Sequence, residues 1–135
     1  MKEVRILTID NRGRIVIPYI IRKSIGITTN SQLMMVSDSE KKEIKITPVG
    51  LAKESNPIQY RITMDDVPGA LAKIATTFGD LGISLIYGES MTLEKDKTAI
   101  WTVIGPSPID IDLEELKQIL LSKGEATEVE ITPLE

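Results

Sequence analysis

Four cations crowd one short stretch of this chain. Arg12 and Arg14 flank Gly13, and Arg22 and Lys23 follow in the run IDNRGRIVIPYIIRKSIGI. An arginine guanidinium is a planar fork that meets phosphate oxygens and guanine edges with paired hydrogen bonds, and a lysine adds a point charge. On a rigid turn and a short helix, such side chains would be placed in advance to grip a polyanion. Arg5 lies just upstream. The competing chemistry is surface pairing of Arg14 and Arg22 with Asp10, Glu40 or Glu43. Reactive chemistry is scarce elsewhere, because the chain has no cysteine and no histidine. That removes thiol nucleophiles, disulfides, Ser-His-Asp triads and ordinary zinc sites. No catalytic residue, metal site or cofactor is expected, and the chain reads as a non-enzyme.

The elements that must hold these cations are short. Residues 4–9 are apolar and β-branched and predict a strand. Residues 10–13 make a turn with Gly13 at its positive-φ position, and residues 14–17 predict a second strand. Pro18 suits the first turn of a helix over about 19–24. Gly26 is placed to cap that helix, with Ile27 packing back on it. Residues 32–37 and 43–47 predict a further hairpin around the polar stretch 37–42. The apolar set Ile6, Ile9, Ile15, Ile17, Ile20, Ile21, Ile25, Ile27, Leu33, Met35, Ile44 and Ile46 would form the core. Fewer than about 50 residues without a metal or disulfide bury too little surface to fold alone. Obligate dimerisation with a shared core is the expected remedy, and it would set two copies of the basic turn against a two-fold DNA site.

Charge divides the chain the same way. Residues 1–49 hold nine Lys or Arg against five Asp or Glu, and residues 50–135 hold seven against fifteen. A basic first part and an acidic second part imply two modules with different partners. We place the modules at 1–49 and 58–135, joined by a connector over 50–57 rich in breakers. No apolar run approaches the roughly 20 residues that span a bilayer. The charged start MKEVRILTID has no signal-peptide core. A cytoplasmic protein with no membrane partner is expected.

In the second module, residues 58–64 predict a strand and Asp65 to Pro68 a turn into a helix whose apolar face is Leu71, Ile74, Ala75, Phe78 and Leu81. Gly82 ends that helix. Residues 83–93 predict a strand with a possible bulge at Gly88, and residues 98–104 another, containing Trp101. A lone tryptophan in an apolar strand is more often core or interface than pocket. Asp112 and Glu115 form a capping box for a helix buried through Leu113, Leu116 and Leu120 and stopped by Gly124. Residues 126–132 predict the last strand. The order β-α-β-β-α-β is the ferredoxin-like arrangement. The whole is of the α+β class.

Two resemblances sharpen this reading. IDNRGRIVIPYIIRKSIGI, continued by LMMVSDSEKKEIKITPV, resembles the SpoVT/AbrB family of transition-state regulators. The resemblance covers about a third of the chain. It implies an interleaved swapped-hairpin β-barrel dimer that binds double-stranded DNA through arginines. Carried onto matching positions, the DNA-binding residues would be Arg14 and Arg22, with Lys23, Arg5 and Arg12 less closely matched. DDVPGALAKI followed by FGDLGISLIYGES resembles the ACT family of regulatory domains, over nearly all of the second module. That resemblance implies a small-molecule effector, commonly an amino acid, held between two copies. Asp66, Val67, Pro68, Gly69, Ala70 and Leu71 would make one wall, and Ile83, Ser84 and Leu85 of a second subunit the other. A free amino acid is a zwitterion. Its carboxylate suits unpaired N–H groups at a helix start, and its ammonium suits Asp66. The plainer role for Asp66 is to cap the helix.

Together these imply a DNA-binding transcription regulator whose ACT-like module senses an amino acid or related metabolite, as a homodimer or dimer of dimers. The alternatives are an antitoxin or protein-interaction module, and a regulatory subunit of an amino-acid biosynthetic enzyme.

Overall fold

A computed structural model describes residues 2–50 and 56–134. The chain divides into two compact units, Met1–Gly50 and Leu51–Glu135. Of the connector expected over 50–57, residues 51–55 lie outside the described residues, and Pro57 already belongs to a strand.

The first unit has one helix and one hairpin. Helix α1 (Tyr19–Ile25) starts after Pro18, which stands at the N-cap with φ −55° and ψ 145° rather than inside the first turn. Gly26 ends it at φ 84°, a left-handed conformation that costs glycine little. The N–H groups of Gly26 and Ile27 both bond the Arg22 carbonyl at 2.9 Å, which satisfies one of the helix's free C-terminal acceptors. Strands β1 (Leu33–Asp38) and β2 (Glu43–Pro48) pair antiparallel, with Asp38 opposite Glu43 and Leu33 opposite Pro48. In their turn the Asp38 carboxylate accepts the Glu40 and Lys41 N–H groups at 3.1 Å.

The strands expected over 4–9 and 14–17 are not formed as strands. Among the described residues, the one backbone bond linking these two segments is Asp10 N–H to Arg14 C=O at 3.0 Å. A strand is defined by its ladder, and among the described residues neither segment pairs with a strand. The expected core of this unit is absent too. None of its described residues is buried, and Ile6 is 98% exposed.

The second unit is a four-stranded antiparallel sheet with two helices: β3 (Pro57–Asp65), α2 (Ala70–Asp80), β4 (Tyr87–Glu94), β5 (Thr98–Pro106), α3 (Leu113–Ser122) and β6 (Glu128–Pro133). The sheet order is β4-β5-β3-β6, so β4 and β6 are its edges. Alternation on β3 buries Ile58, Tyr60, Ile62 and Met64 and leaves Arg61 and Asp65 exposed. The buried set packs with Ile74 and Phe78 of α2 and with Leu116 and Leu120 of α3. Tyr60 and Phe78 meet edge-on at 5.0 Å, and Phe78 meets Trp101 edge-on at 6.1 Å. Trp101 is thus a flank of the core, half-buried.

Several local expectations change. Strand β4 begins at Tyr87, not at residue 83, and its register shift falls between Thr92 and Glu94 rather than at Gly88. Gly88 instead lies under the Trp101 indole, where an added Cβ would stand 3.2 Å from Nε1. Leu71, Ala75 and Leu113 are exposed rather than core. Asp112 does cap α3, its Oδ1 accepting Glu115 N–H at 2.7 Å. That helix ends at Ser122 with Lys123 as its C-cap, one residue before Gly124.

Candidate functional site

Each unit carries its own candidate surface. In the first, the basic turn is built by Asp10. One carboxylate oxygen accepts the backbone N–H groups of Arg12 and Arg14 at 2.9 Å, and the other accepts Arg14 Nε at 2.7 Å. Gly13 takes φ 75° so that the chain can fold back. Hydrogen bonds from the Arg14 backbone and then its side chain hold the Asp10 carboxyl below its ordinary 3.8. Surface pairing of Arg14 therefore exists, but it engages Nε alone among its recorded contacts. The same pairing fixes the guanidinium on the turn, with its Nη groups unpartnered among the described residues.

The other cations differ. Arg22 has its Cζ 5.8 Å from the centroid of the Tyr19 ring, one turn back on α1, and no acidic partner among the described residues. Lys23 follows it at the same helix end. Arg12 and Lys23 have no ion pair among the described residues, whereas Arg5 is held by Glu3 at 2.8 Å and by the Val4 carbonyl. Arg12, Arg14, Arg22 and Lys23 are all exposed. Chemically, this is a set of donors open to an anion, with only Arg14 and Arg5 oriented by a carboxylate.

In the second unit, the expected wall of Asp66, Val67, Pro68, Gly69, Ala70 and Leu71 is continuous around the start of α2. Gly69 is the N-cap at φ 87°, and no side chain caps the helix. The expected capping by Asp66 is therefore not its role. Its Oδ2 accepts the N–H of Asp96 at 2.8 Å, thirty residues along, and its own N–H bonds the Lys97 carbonyl at 3.2 Å. Asp66 thus clasps the β4–β5 turn, where Asp96 itself has φ 64°. Among the described residues, the N–H groups of Gly69, Leu71 and Ala72 have no acceptor. A cavity of about 180 Å³ opens beside this wall, lined by Asp65, Asp66, Val67, Ala70 and Leu71 and, from across the fold, by Met64, Ser90, Met91, Thr92, Ala99 and Ile100.

Ile83, Ser84 and Leu85 lie after the other end of α2. Eleven residues of helix separate the two groups by about 16 Å, so a single chain does not bring them together. Ile83 and Leu85 pack against the core, while Ser84 is exposed. Ile83 lines a separate cavity of about 550 Å³ with Pro106, Ser107 and Asp110. The sequence reading missed Ser90, Met91 and Thr92 altogether. The signal available was the period-two alternation of β4, which sets Ser90 and Thr92 on the side of Trp101 and Ala99. No group of three or more potential metal ligands occurs among the described residues, and no helix among them is long and apolar enough to cross a membrane.

The two units match two different families. Residues 61–121 match the ACT domain. Residues 6–54 match the antidote-toxin recognition domain of MazE, a bacterial antitoxin. The chain is thus a fusion of a MazE/AbrB-like domain with an ACT domain, the pair its motifs resemble. No curated protein matches it. Among solved structures, a candidate glycine cleavage system transcriptional repressor aligns at 14% identity and TM-score 0.49, over 69% of this chain and 55% of that one. An uncharacterized protein from Thermotoga maritima aligns at 14% identity and TM-score 0.46, over 61% and 100%. The C-terminal domain of the MgtC protein from Mycobacterium tuberculosis aligns at 15% and TM-score 0.48, over 64% and 95%. The chain spans about half the length of the first of these.

Proposed function

We propose that this protein is a cytoplasmic, ligand-responsive transcription regulator and not an enzyme. Residues 1–49 of two chains would fold together into a swapped-hairpin barrel that grips duplex DNA through Arg14 and Arg22, with Lys23, Arg12 and Arg5 adding charge. A connector over 50–57 would join this module to the sensor, residues 58–135. The observation that carries the reading is the state of the first unit. Its apolar residues Val4, Ile6, Ile9 and Val16 are each more than 60% exposed, beside a formed basic turn. Exposed β-branched segments without a ladder call for partner strands, and a second copy supplies them with two-fold symmetry.

The sensor would take an amino acid or related small metabolite between copies, through Asp66, Val67, Pro68, Gly69, Ala70 and Leu71 of one chain and Ile83, Ser84 and Leu85 of another. The root of β3 is suited to transmit the change. The Asn56 carbonyl accepts Ser107 N–H at 3.0 Å and Ser107 Oγ at 2.6 Å, and the Pro57 carbonyl accepts Leu134 N–H at 3.1 Å. Movement of the β5–α3 loop would thereby reach the connector. Coupling of this kind is worth about 1–3 kcal/mol.

The test is duplex binding by fluorescence anisotropy over a salt series. Wild type is expected to bind with a steep salt dependence. Arg14→Ala with Arg22→Ala should abolish binding while dimerisation persists, because each lost phosphate contact removes about 0.9 from the log–log salt slope. Normal binding by the double variant would refute the site. The match of residues 6–54 to an antitoxin family favours one second reading, a protein-binding antidote. Co-purification of a small basic protein with a chain that ignores duplex DNA would establish it instead.

A further inference from the structure

Helix α1 sorts its residues by chemistry. At about 100° per residue, Tyr19, Arg22 and Lys23 share an arc of roughly 100°, and Ile20, Ile21 and Ile25 take the opposite side. An aromatic residue among the isoleucines would read as core. Tyr19 instead stands on the cationic side and is 69% exposed, more than Ile20 or Ile25.

Its ring has a specific neighbour. A helical side chain leans back over the preceding turn, which carries Arg22 towards the residue three positions before it. The Arg22 Cζ lies 5.8 Å from the centroid of the Tyr19 ring, within the roughly 6 Å at which an aromatic face attracts a cation. The two arginines of the basic surface are thus held in different ways. Asp10 holds Arg14 by its Nε and sets a negative charge against it. The Tyr19 ring holds Arg22 without taking any of its N–H donors, and it brings no opposing charge.

We propose that Tyr19 is the positioning residue for Arg22: its ring fixes the guanidinium before DNA arrives, so that less side-chain freedom is lost on binding. The inference rests on the DNA-binding reading above and adds a residue that acts through Arg22 rather than on the nucleic acid. Ordering one long side chain in advance is worth roughly two- to tenfold in affinity. It leaves the number of phosphate contacts, and so the salt slope, unchanged.

The test is duplex binding by the full-length protein over a salt series. The variants are Tyr19→Leu, Tyr19→Phe, Arg22→Ala, and Tyr19→Leu combined with Arg22→Ala. Leucine keeps the helix propensity and removes the ring. Tyr19→Leu is expected to bind roughly two- to tenfold more weakly with an unchanged slope, whereas Arg22→Ala loses about 0.9 of the slope. Tyr19→Phe keeps the ring and should bind as wild type does. Adding Tyr19→Leu to Arg22→Ala should cost nothing more, because the group it positions is gone. Before DNA is added, NMR relaxation should find the Arg22 Nε–H more ordered than that of Arg12, and Tyr19→Leu should erase the difference. Full affinity in Tyr19→Leu would overturn the proposal, as would a loss that persists on the Arg22→Ala background. An equal loss in Tyr19→Phe would overturn it too, by marking direct contact through the hydroxyl; in each case the DNA-binding reading survives. No duplex binding by wild type would sink that reading, and this inference with it.

Discussion

Tyr60 carries a hydroxyl that the fold does not use. The side chain is fully buried among apolar neighbours, and its OH has no hydrogen-bond partner among the described residues. Burial alone pushes its pKa up to about 12. An unsatisfied buried donor costs about 1–3 kcal/mol, so Tyr60→Phe is expected to stabilise the second unit by about 1 kcal/mol. For a domain of this size that raises the melting temperature by about 4–8 °C; a fall would mean that the hydroxyl is bonded after all. Asp10 is the opposite case, a polar group used to the full. Its folded pKa is depressed, so its contribution is complete above the ordinary value of 3.8 and is lost as pH falls through the folded value. An NMR titration should therefore find the Arg12 and Arg14 amides moving together below pH 3.8. In Arg14→Ala the Asp10 midpoint should rise towards that value, and an unmoved midpoint would contradict the turn described above.

At the scale of elements, two glycines separate close packing from backbone conflict. A Cβ at Gly88 would meet the Trp101 and Val103 side chains at 3.2 and 3.3 Å. At Gly124 it would stand 2.6 Å from the Leu120 carbonyl oxygen, which cannot move without disturbing α3. Overpacking costs about 1–3 kcal/mol. Gly124→Ala should sit at the top of that range and Gly88→Ala near the bottom, as read by urea denaturation; the reverse order would contradict the packing. The same residues explain what the sequence could reveal. The elements of the second unit were legible because alternation on β3 and the cap at Asp112 are local signals. Gly88 was misread because the reason for it, the Trp101 ring, comes from a neighbouring strand. The capping role considered for Asp66 failed for the same cause, its partner Asp96 being thirty residues away. For Ser90 and Thr92 the alternation of β4 gave their shared face, and only its register against β5 set them beside Trp101 and Ala99. In the first unit the turn at Asp10 was legible, but the ladders expected over 4–9 and 14–17 are not formed among the described residues, and on the proposed reading they would need a second copy.

At the scale of the whole molecule, charge and burial divide the labour. Among its described residues the basic unit has donors and nothing buried, whereas the acidic unit has a core. If, as proposed, the first unit folds only by pairing, its stability would depend on protein concentration, and an effector that alters the pairing of the second unit would alter the first through the connector. The central claim is that two chains together make one DNA-gripping surface. Sedimentation velocity of the full chain, alone and with a fluorescent duplex at low salt, tests it most directly. The account predicts a dimer or dimer of dimers alone, and a duplex that sediments with an even number of chains and is released by added salt. A folded monomer, or a duplex that sediments unbound, would contradict it.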